Sequence, residues 1–327
     1  MHQKDFTMAT MSAEQLKPHL SEDLSHIAIV AAAENKDNLI AAYEEMGFPL
    51  APVERHEGQQ VHFTFFVPQN FRVGKSVEIH SAPQIELIFS DGNKGVADFA
   101  SKPENQKGAP HHLCWFLGDA VQGGAEAAFL LFEHALTPLR GSGLNFLGNA
   151  GPGAHGKATI FIHPKDTGVL TEFEGTFTAE ERAAKTQGAQ SDFAIVGATL
   201  VANNMAEARK SFEKLGKSPI AEPNDSDESF FVLTKGGVFV HVMSEKAYND
   251  DVKPEQPVTL SADGKFKMKI MGVVFQTSSK AAFDRATGGT TDKRPIMLPD
   301  GTPYELHRAT DHAQRTKLGF VAEFVYG

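Results

Sequence analysis

The chain has 327 residues, of which 41% are hydrophobic, so it can bury the core of one large domain or of two ordinary ones. No apolar run approaches the roughly 18 to 20 residues of a membrane span, and residues 1–20 lack the apolar segment of a signal peptide, which favours a cytoplasmic location. A single cysteine, Cys114, excludes an internal disulfide framework and cysteine-rich zinc modules. The net charge of -10 argues against binding to nucleic acid or to anionic membranes.

The N-terminal half carries one order of elements twice: a short apolar strand, a helix of about three turns, and strands that end in an alternating apolar segment. The opening strand, helix and closing strand of the two copies lie at residues 24–30, 38–46 and 84–89, and at residues 112–117, 125–135 and 168–173. Gly47 follows the first helix, as is typical of a left-handed helix end. The repetition predicts an α+β fold in which βαβββ units pair into curved, partly open sheets.

The C-terminal half contains two further copies, of which the last is the weaker. Their opening strand, helix and closing strand lie at residues 195–200, 205–215 and 238–243, and at residues 271–275, 280–286 and 304–306. Between the halves, Thr178 and Glu181 form a capping-box pattern, which predicts a helical connector. We therefore expect a first module at residues 1–177, a connector at 178–191 and a second, degenerate module at 192–327.

Four polar residues interrupt the apolar strands of the first two copies at matched positions. Sixty residues separate His26 in an opening strand from Glu86 in a closing strand, and sixty separate His112 from Glu172. Burial of a carboxylate is costly without a cation to compensate it, and two imidazoles with two carboxylates on facing strands suit a divalent ion. Nitrogen and oxygen donors without thiolate fit Co, Mn, Ni, Fe or Zn. The spacing predicts a His2Glu2 metal site.

Several segments resemble methylmalonyl-CoA epimerase, a member of the vicinal oxygen chelate superfamily, which also holds glyoxalase I and extradiol dioxygenases. The resembling segments are residues 25–30, 111–114, 153–157, 162–168 and 170–174. The resemblance covers about residues 24 to 175, and the stretch from Gly153 to Glu174 is its specific part. Carried over by position, the four metal ligands of that family fall on the same His26, Glu86, His112 and Glu172.

The general base is less clear from the resemblance. The family places a catalytic Glu three residues before a strand Val, and here Gly58 stands at that spacing before Val61. Glu57, one residue away, is the first candidate for the base. His62 is the second, because it shares strand parity with the family's Glu position and is expected to face the same way.

The C-terminal half of the chain is expected to differ from the N-terminal half in its capacity to bind metal. Alignment of its units by their strands puts Val196, His241, Gly272 and Glu305 at the positions of the four ligands, and two of these could bind metal. We therefore expect one divalent metal per chain and a C-terminal module that supplies a wall, a substrate contact or an internal interface.

The resemblance implies a metal-dependent epimerase or isomerase that acts through the enolate of a small carbonyl acid or acyl thioester, in a monomer or homodimer. A glyoxalase-like lyase and an extradiol-type dioxygenase are the alternative enzymes; a fourth protein ligand counts against the dioxygenase. A metal-free binding protein is the alternative from another class, and the intact ligand set argues against it.

Overall fold

The computed structural model describes residues 23–66, 72–73, 77–78, 83–118, 124–154, 156–176, 181, 191–222, 228–234, 236–260 and 264–327. The expected connector at 178–191 lies almost entirely outside these residues. Within them, no helix has the length and apolar character needed to cross a membrane.

The first module is built on one eight-stranded sheet. Its strands are β1 (Leu24–Ala31), β2 (Glu54–His56), β3 (Val61–Phe66), β6 (Gln84–Ser90), β7 (Ala109–Leu117), β8 (Phe146–Pro152), β9 (Ala158–Ile162) and β10 (Leu170–Gly175), and the short strands β4 (Arg72–Val73) and β5 (Val77–Glu78) form a separate hairpin. The sheet order is β2-β3-β6-β1-β7-β10-β9-β8. Its helices are α1 (Lys36–Met46), α2 (Lys94–Ala100), α3 (Gly124–Gly141) and α4 (Pro164–Thr167). Two βαβββ units thus meet where β1 and β7 pair antiparallel.

The second module repeats this plan. Its strands are β11 (Ala194–Ala202), β12 (Pro219–Ala221), β13 (Ser229–Leu233), β14 (Phe239–Ser244), β15 (Met268–Thr277), β16 (Thr291–Met297), β17 (Pro303–Ala309) and β18 (Val321–Tyr326), in the order β12-β13-β14-β11-β15-β18-β17-β16. Its helices are α5 (Met205–Lys214), α6 (Glu245–Val252), α7 (Lys280–Thr287) and α8 (His312–Arg315). The two sheets confirm the predicted α+β architecture of paired βαβββ units.

The closing strand of the fourth unit differs from the prediction. Residues 304–306 lie inside β17, and the strand that closes the unit parallel to β15 is β18. Both segments carry a Glu between apolar residues, at Glu305 and Glu323, so the local pattern alone does not distinguish them. The pairing of β18 with β15 decides which one lies at the centre of the sheet.

The faces of the two sheets that carry α1, α3, α5 and α7 pack against a single hydrophobic core. Phe48, directly after α1, stacks on Phe193 of the second module with ring centroids 4.5 Å apart and lies 4.8 Å from the ring of Phe275 on β15. Gly47 ends α1 in the left-handed conformation, as the sequence predicts, with φ of 88°. The opposite face of each sheet is left to form a separate cup.

Candidate metal centre

Four adjacent strands carry the predicted ligands to one place. In β1, Ala28 pairs with Glu86 of β6 on one side and with His112 of β7 on the other, and His26 lies two residues before it on the same face. Glu172 of β10 pairs beside Cys114 of β7, two residues from His112. The four side chains therefore project from the central strands into the cup.

The four ligand candidates converge closely. Nε2 of His26 lies 3.3 Å from Oε2 of Glu86 and 3.2 Å from Oε2 of Glu172, and Nε2 of His112 lies 2.9 Å from the same Glu172 oxygen. Each of the four residues is at most 5% exposed. Two carboxylates at this depth require a compensating cation.

The outer nitrogen of each histidine is also held. Nδ1 of His26 lies 3.3 Å from the hydroxyl of Ser25 and 3.6 Å from Oε1 of Glu174, and that hydroxyl in turn donates to Glu174. Nδ1 of His112 lies 3.0 Å from Nδ1 of His111. Such contacts orient an imidazole so that its other nitrogen faces a metal.

The protonation behaviour of the cluster fits a site for a cation. Burial disfavours the charged form of Glu172, but hydrogen bonds with His112 and His26 outweigh it and lower the pKa of Glu172 to about 2. Burial likewise disfavours the cation of His26, yet hydrogen bonds with Glu172 and Glu174 raise the pKa of His26 above its ordinary value. A metal ion would take the place of that proton.

The donor set suits a divalent ion. The ligand atoms of His26, Glu86 and His112 lie within 4.8 Å of one another, and those of His26, Cys114 and Glu172 form a second such group. Burial raises the pKa of the Cys114 thiol well above its ordinary value, so Cys114 remains a thiol and packs beneath the imidazoles. The two imidazoles and two carboxylates are thus the residues that fit a metal.

The two residues predicted as the base lie elsewhere. Glu57 is in the turn between β2 and β3, where its side chain is 76% exposed and its carboxylate pairs with the guanidinium of Arg55. His62 pairs across the strands with Arg55, and its Nε2 lies 3.7 Å from Asp91. Phe65, whose ring is 5.9 Å from that of His26, has the opposite parity to His62 on β3. The structure therefore corrects the expectation that either Glu57 or His62 faces the ligands.

A pocket of about 260 Å³ lies at the mouth of the cup. It is lined by residues from both edges of the first sheet, namely His56, Gly58 and Gln59 after β2, and Leu147, Asn149, Gly151, Pro152, Thr159, Ile160 and Phe161 on β8 and β9. Strands at opposite ends of the sheet order share this pocket, so the sheet curves around it. The ring of Phe161 lies 5.3 Å from that of His112, between the pocket and the ligands.

His56 is a pocket residue that the sequence reasoning did not select. It pairs with Val61, so the two side chains lie on one face of the hairpin. Val61 shares its strand face with Phe65, which reaches His26. The alternation of side chains along the strands could have placed His56 on the same face as Val61. That argument requires the length of the turn between β2 and β3, which the sequence did not give.

The second cup contains a different set at the equivalent positions. In β11, Thr199 pairs with His241 and Gly272, as Ala28 pairs with Glu86 and His112 in the first sheet. The predicted equivalents His241 and Gly272 are therefore correct. The predicted Val196 is wrong by one residue, because Gly197 lies two residues before Thr199 and pairs with Val274, as His26 lies two residues before Ala28 and pairs with Cys114.

The predicted Glu305 is also wrong, since it follows from the misplaced closing strand. Glu323 of β18 pairs beside Val274, as Glu172 pairs beside Cys114. Glu305 instead lies on β17, exposed and paired with Lys293.

An arginine supplies the cation in the second cup. Nε of Arg308 donates to Oε1 of Glu323 over 2.7 Å, and Thr199 donates to the other oxygen over 3.1 Å. Arg308 and Arg294 lower the pKa of Glu323 against the opposing effect of burial. In the first sheet Phe161 pairs with Glu172 where Arg308 pairs with Glu323.

Apolar side chains fill the rest of the second cup. They are Val196, Phe231, Phe239, Val274, Ile296, Leu298, Tyr304, Leu306 and Val325. Among the described residues, a pocket and a converging set of ligand candidates therefore occur together in the first cup.

Comparison with known proteins gives a partial sequence match. No protein-family model matches the chain. Over 95 residues the chain is 35% identical to an ethylmalonyl-CoA/methylmalonyl-CoA epimerase of Cereibacter sphaeroides, a match that covers 28% of this chain and 60% of that relative.

Solved structures resemble the chain over different lengths. A triple mutant of 4-hydroxymandelate synthase from Streptomyces coelicolor matches 94% of this chain and 92% of its own, with a TM-score of 0.52 and 10% identity. The methylmalonyl-CoA epimerase of Mycobacterium tuberculosis matches 54% of this chain and 97% of its own, with a TM-score of 0.37 and 24% identity. The chain therefore shares its overall fold with the 4-hydroxymandelate synthase over nearly its whole length.

Proposed function

We propose that the chain is a divalent-metal-dependent epimerase or isomerase that removes a proton next to the carbonyl of a small carbonyl acid or acyl thioester. One observation carries the proposal: two imidazoles and two carboxylates converge, fully buried, beside a pocket at the mouth of the same cup. The similarity to an epimerase of ethylmalonyl-CoA and methylmalonyl-CoA supports this choice of reaction.

His26, Glu86, His112 and Glu172 would hold the ion. When bound, a divalent metal acts as a Lewis acid toward a substrate oxygen and so favours loss of a proton from the neighbouring carbon, an effect often worth several kcal/mol. These four side chains alone would leave such an ion able to accept a substrate oxygen as a further ligand. The Ser25 and Glu174 contacts keep the His26 ring turned toward the other three.

The proton acceptor belongs, on this proposal, to the same set of residues. The residues that line the pocket include one titratable side chain, His56, and its Nδ1 already accepts a backbone hydrogen bond. Glu86 approaches one imidazole of the set, whereas Glu172 approaches two. Glu86, with one such contact, is therefore the carboxylate that we propose as the proton acceptor.

The decisive experiment measures metal and proton exchange together. Wild type and His112→Ala are purified, their metal content per chain is determined, and each is incubated in heavy water with methylmalonyl-CoA and ethylmalonyl-CoA. We expect about one equivalent of metal in wild type and incorporation of deuterium that depends on it, with both lost in the variant. Wild type that binds no metal would contradict the site, and metal without exchange on either compound would contradict the reaction.

A glyoxalase-like lyase is the second candidate, and the charge of the site favours it. Glu86 and Glu172 together neutralise a divalent ion, and the polar groups of the pocket, including Gln59, Asn149 and Thr159, are neutral. This arrangement gives no excess positive charge to attract a substrate carboxylate. Turnover of the thiol adduct of a 2-oxoaldehyde, in place of exchange on the malonyl thioesters, would select this candidate.

A further inference from the structure

We propose that His56 contacts the substrate, and that its Nε2–H donates a hydrogen bond to a substrate oxygen in the pocket beside the metal centre. This inference rests on the proposed function and adds to it a substrate-binding residue. Three features of the β2–β3 hairpin carry it: the face on which His56 lies, the form in which its ring is held, and the composition of the pocket around it.

The hairpin register decides the face. His56 pairs with Val61, whereas Arg55 pairs with His62. Cross-strand partners share a face of the sheet and successive residues alternate. His56 therefore lies on the same face as Val61 and Phe65, the face that reaches the ring of His26. Its neighbours along the hairpin face the other way.

A backbone hydrogen bond selects one tautomer of the His56 ring. The N–H of Gln59 donates to Nδ1 of His56 over 3.0 Å. An imidazole that accepts at Nδ1 carries its hydrogen at Nε2, so Nε2–H is the group that it can offer to a bound molecule. Protonation of Nδ1 would place two N–H groups against each other. His56 is therefore placed to act as a hydrogen-bond donor through Nε2.

The loop that carries this contact is itself anchored. The side chain of Asn93 donates to the carbonyl oxygen of Gln59 over 2.7 Å, and the N–H groups of Asp91 and Asn93 donate to the carbonyl oxygen of Gln60. These bonds fix the turn against the start of α2. A donor that is fixed before binding loses little entropy when it meets its acceptor.

The pocket around His56 has the size and polarity for a small acyl group. Its volume is about 260 Å³, and the side chains of Gln59, Asn149 and Thr159 offer neutral donors and acceptors. Phe161 lies across it and contacts His112. An oxygen of the acyl portion can thus face His56 while the reacting carbon lies toward the metal ligands.

The test compares His56→Phe and His56→Gln with His62→Gln, a matched variant of the same hairpin whose side chain points to the other face. Metal content is measured first, followed by the pH dependence of kcat and KM for deuterium exchange on methylmalonyl-CoA. We expect full metal content in all three, about a hundredfold lower kcat/KM in His56→Phe, a smaller loss in His56→Gln, whose amide still donates, and wild-type rates in His62→Gln. The shape of the pH profile should not change in His56→Phe, because His56 is proposed as a hydrogen-bond donor and not as the proton acceptor.

Several outcomes would overturn the inference while wild type remains active. These are a His56→Phe rate within about twofold of wild type, loss of the acidic limb of the pH profile in that variant, or the larger loss of activity in His62→Gln. Ring nitrogen NMR that shows Nδ1 of His56 protonated would also overturn it, without any activity assay. If wild type binds metal but exchanges neither thioester, the proposed function fails and this inference fails with it.

Discussion

Glu172 and Glu323 hold the same register position in the two sheets but are neutralised in different ways. The Glu172 carboxylate lies 2.9 Å from Nε2 of His112 and belongs to a set that fits a metal, whereas Oε1 of Glu323 accepts a 2.7 Å hydrogen bond from Arg308. One buried carboxylate of each sheet thus lies beside histidines in the first cup and beside an arginine in the second. In the second cup, the guanidinium of Arg308 has the role that an exchangeable metal ion would have in the first cup.

This difference predicts the metal stoichiometry. Glu172→Gln should lose the bound ion, because it removes both a ligand and a charge, whereas His241→Asn in the second cup should keep about one equivalent per chain. Metal analysis of the purified proteins after dialysis checks this. Two equivalents in wild type, or loss of metal in His241→Asn, would show that the second cup also binds an ion.

The arginine arrangement can be transferred to the first cup. Phe161→Arg places a guanidinium next to Glu172, at the position that Arg308 holds relative to Glu323. We expect this variant to remain folded and to lose metal binding, because the guanidinium competes with the ion for the carboxylate. Phe161→Leu, which adds no charge, is the control and should retain the ion. Metal titration by calorimetry measures the metal affinity of both variants. Equal affinities would refute the idea that an arginine can take the place of the metal ion.

The contact between Glu174 and His26 should matter for metal affinity. Nδ1 of His26 lies 3.6 Å from Oε1 of Glu174, on the side of the ring away from the ligand set. Replacement of such an outer partner typically lowers metal affinity by about 10- to 100-fold. Glu174→Gln should show this loss in competition with a chelator while its circular dichroism stays that of wild type. Unchanged affinity would mean that Ser25 alone orients the ring.

The ion pair of Glu323 should make stability depend on acid. The folded-state pKa of Glu323 is lowered by Arg294 and Arg308, so its contribution is fully present above the unfolded-state pKa of about 4.3 and is lost as the pH falls through the folded-state value. Glu323→Gln should cost about 3 to 5 kcal/mol at neutral pH and flatten the loss of stability in acid. Urea unfolding at neutral and acidic pH measures both effects.

A matched control for this variant is Glu207→Gln, on the exposed face of α5, where the carboxylate pairs with Lys210. That exposed pair should contribute little to the free energy of unfolding, because solvent screens it. A similar loss in both variants would show that the position of Glu323 in the second cup has no special role.

The core between the sheets should couple the unfolding of the two modules. Phe48 stacks on Phe193 across this core, with ring centroids 4.5 Å apart. Phe48→Ala should lower the free energy of unfolding by about 3 to 5 kcal/mol, and signals from both modules should still change in one transition. Ile220→Ala, at a residue that is 38% exposed, should have a small effect. Separate transitions in wild type would mean that the modules unfold independently.

The convergence of the four predicted ligands could be anticipated from the sequence because it depends on strand repetition. His26, Glu86, His112 and Glu172 stand at equal spacing inside apolar strands, and their side chains converge in the structure as that spacing implies. Alternation along a strand is a local property, so the face of each residue followed from its apolar neighbours. The helix end at Gly47 was likewise local.

Other features depended on contacts between distant segments. The face of His56 and His62 follows from the β2–β3 register, and Glu323 was found only through the pairing of β18 with β15. Arg308 reaches Glu323 because β17 lies between β16 and β18. By itself the sequence determined the repeated units and the polar residues inside their strands, since both are set by periodicity. Only the tertiary structure decided which segments pair across the sheets, because many alternating segments satisfy the same period and the choice among them depends on packing over the whole core.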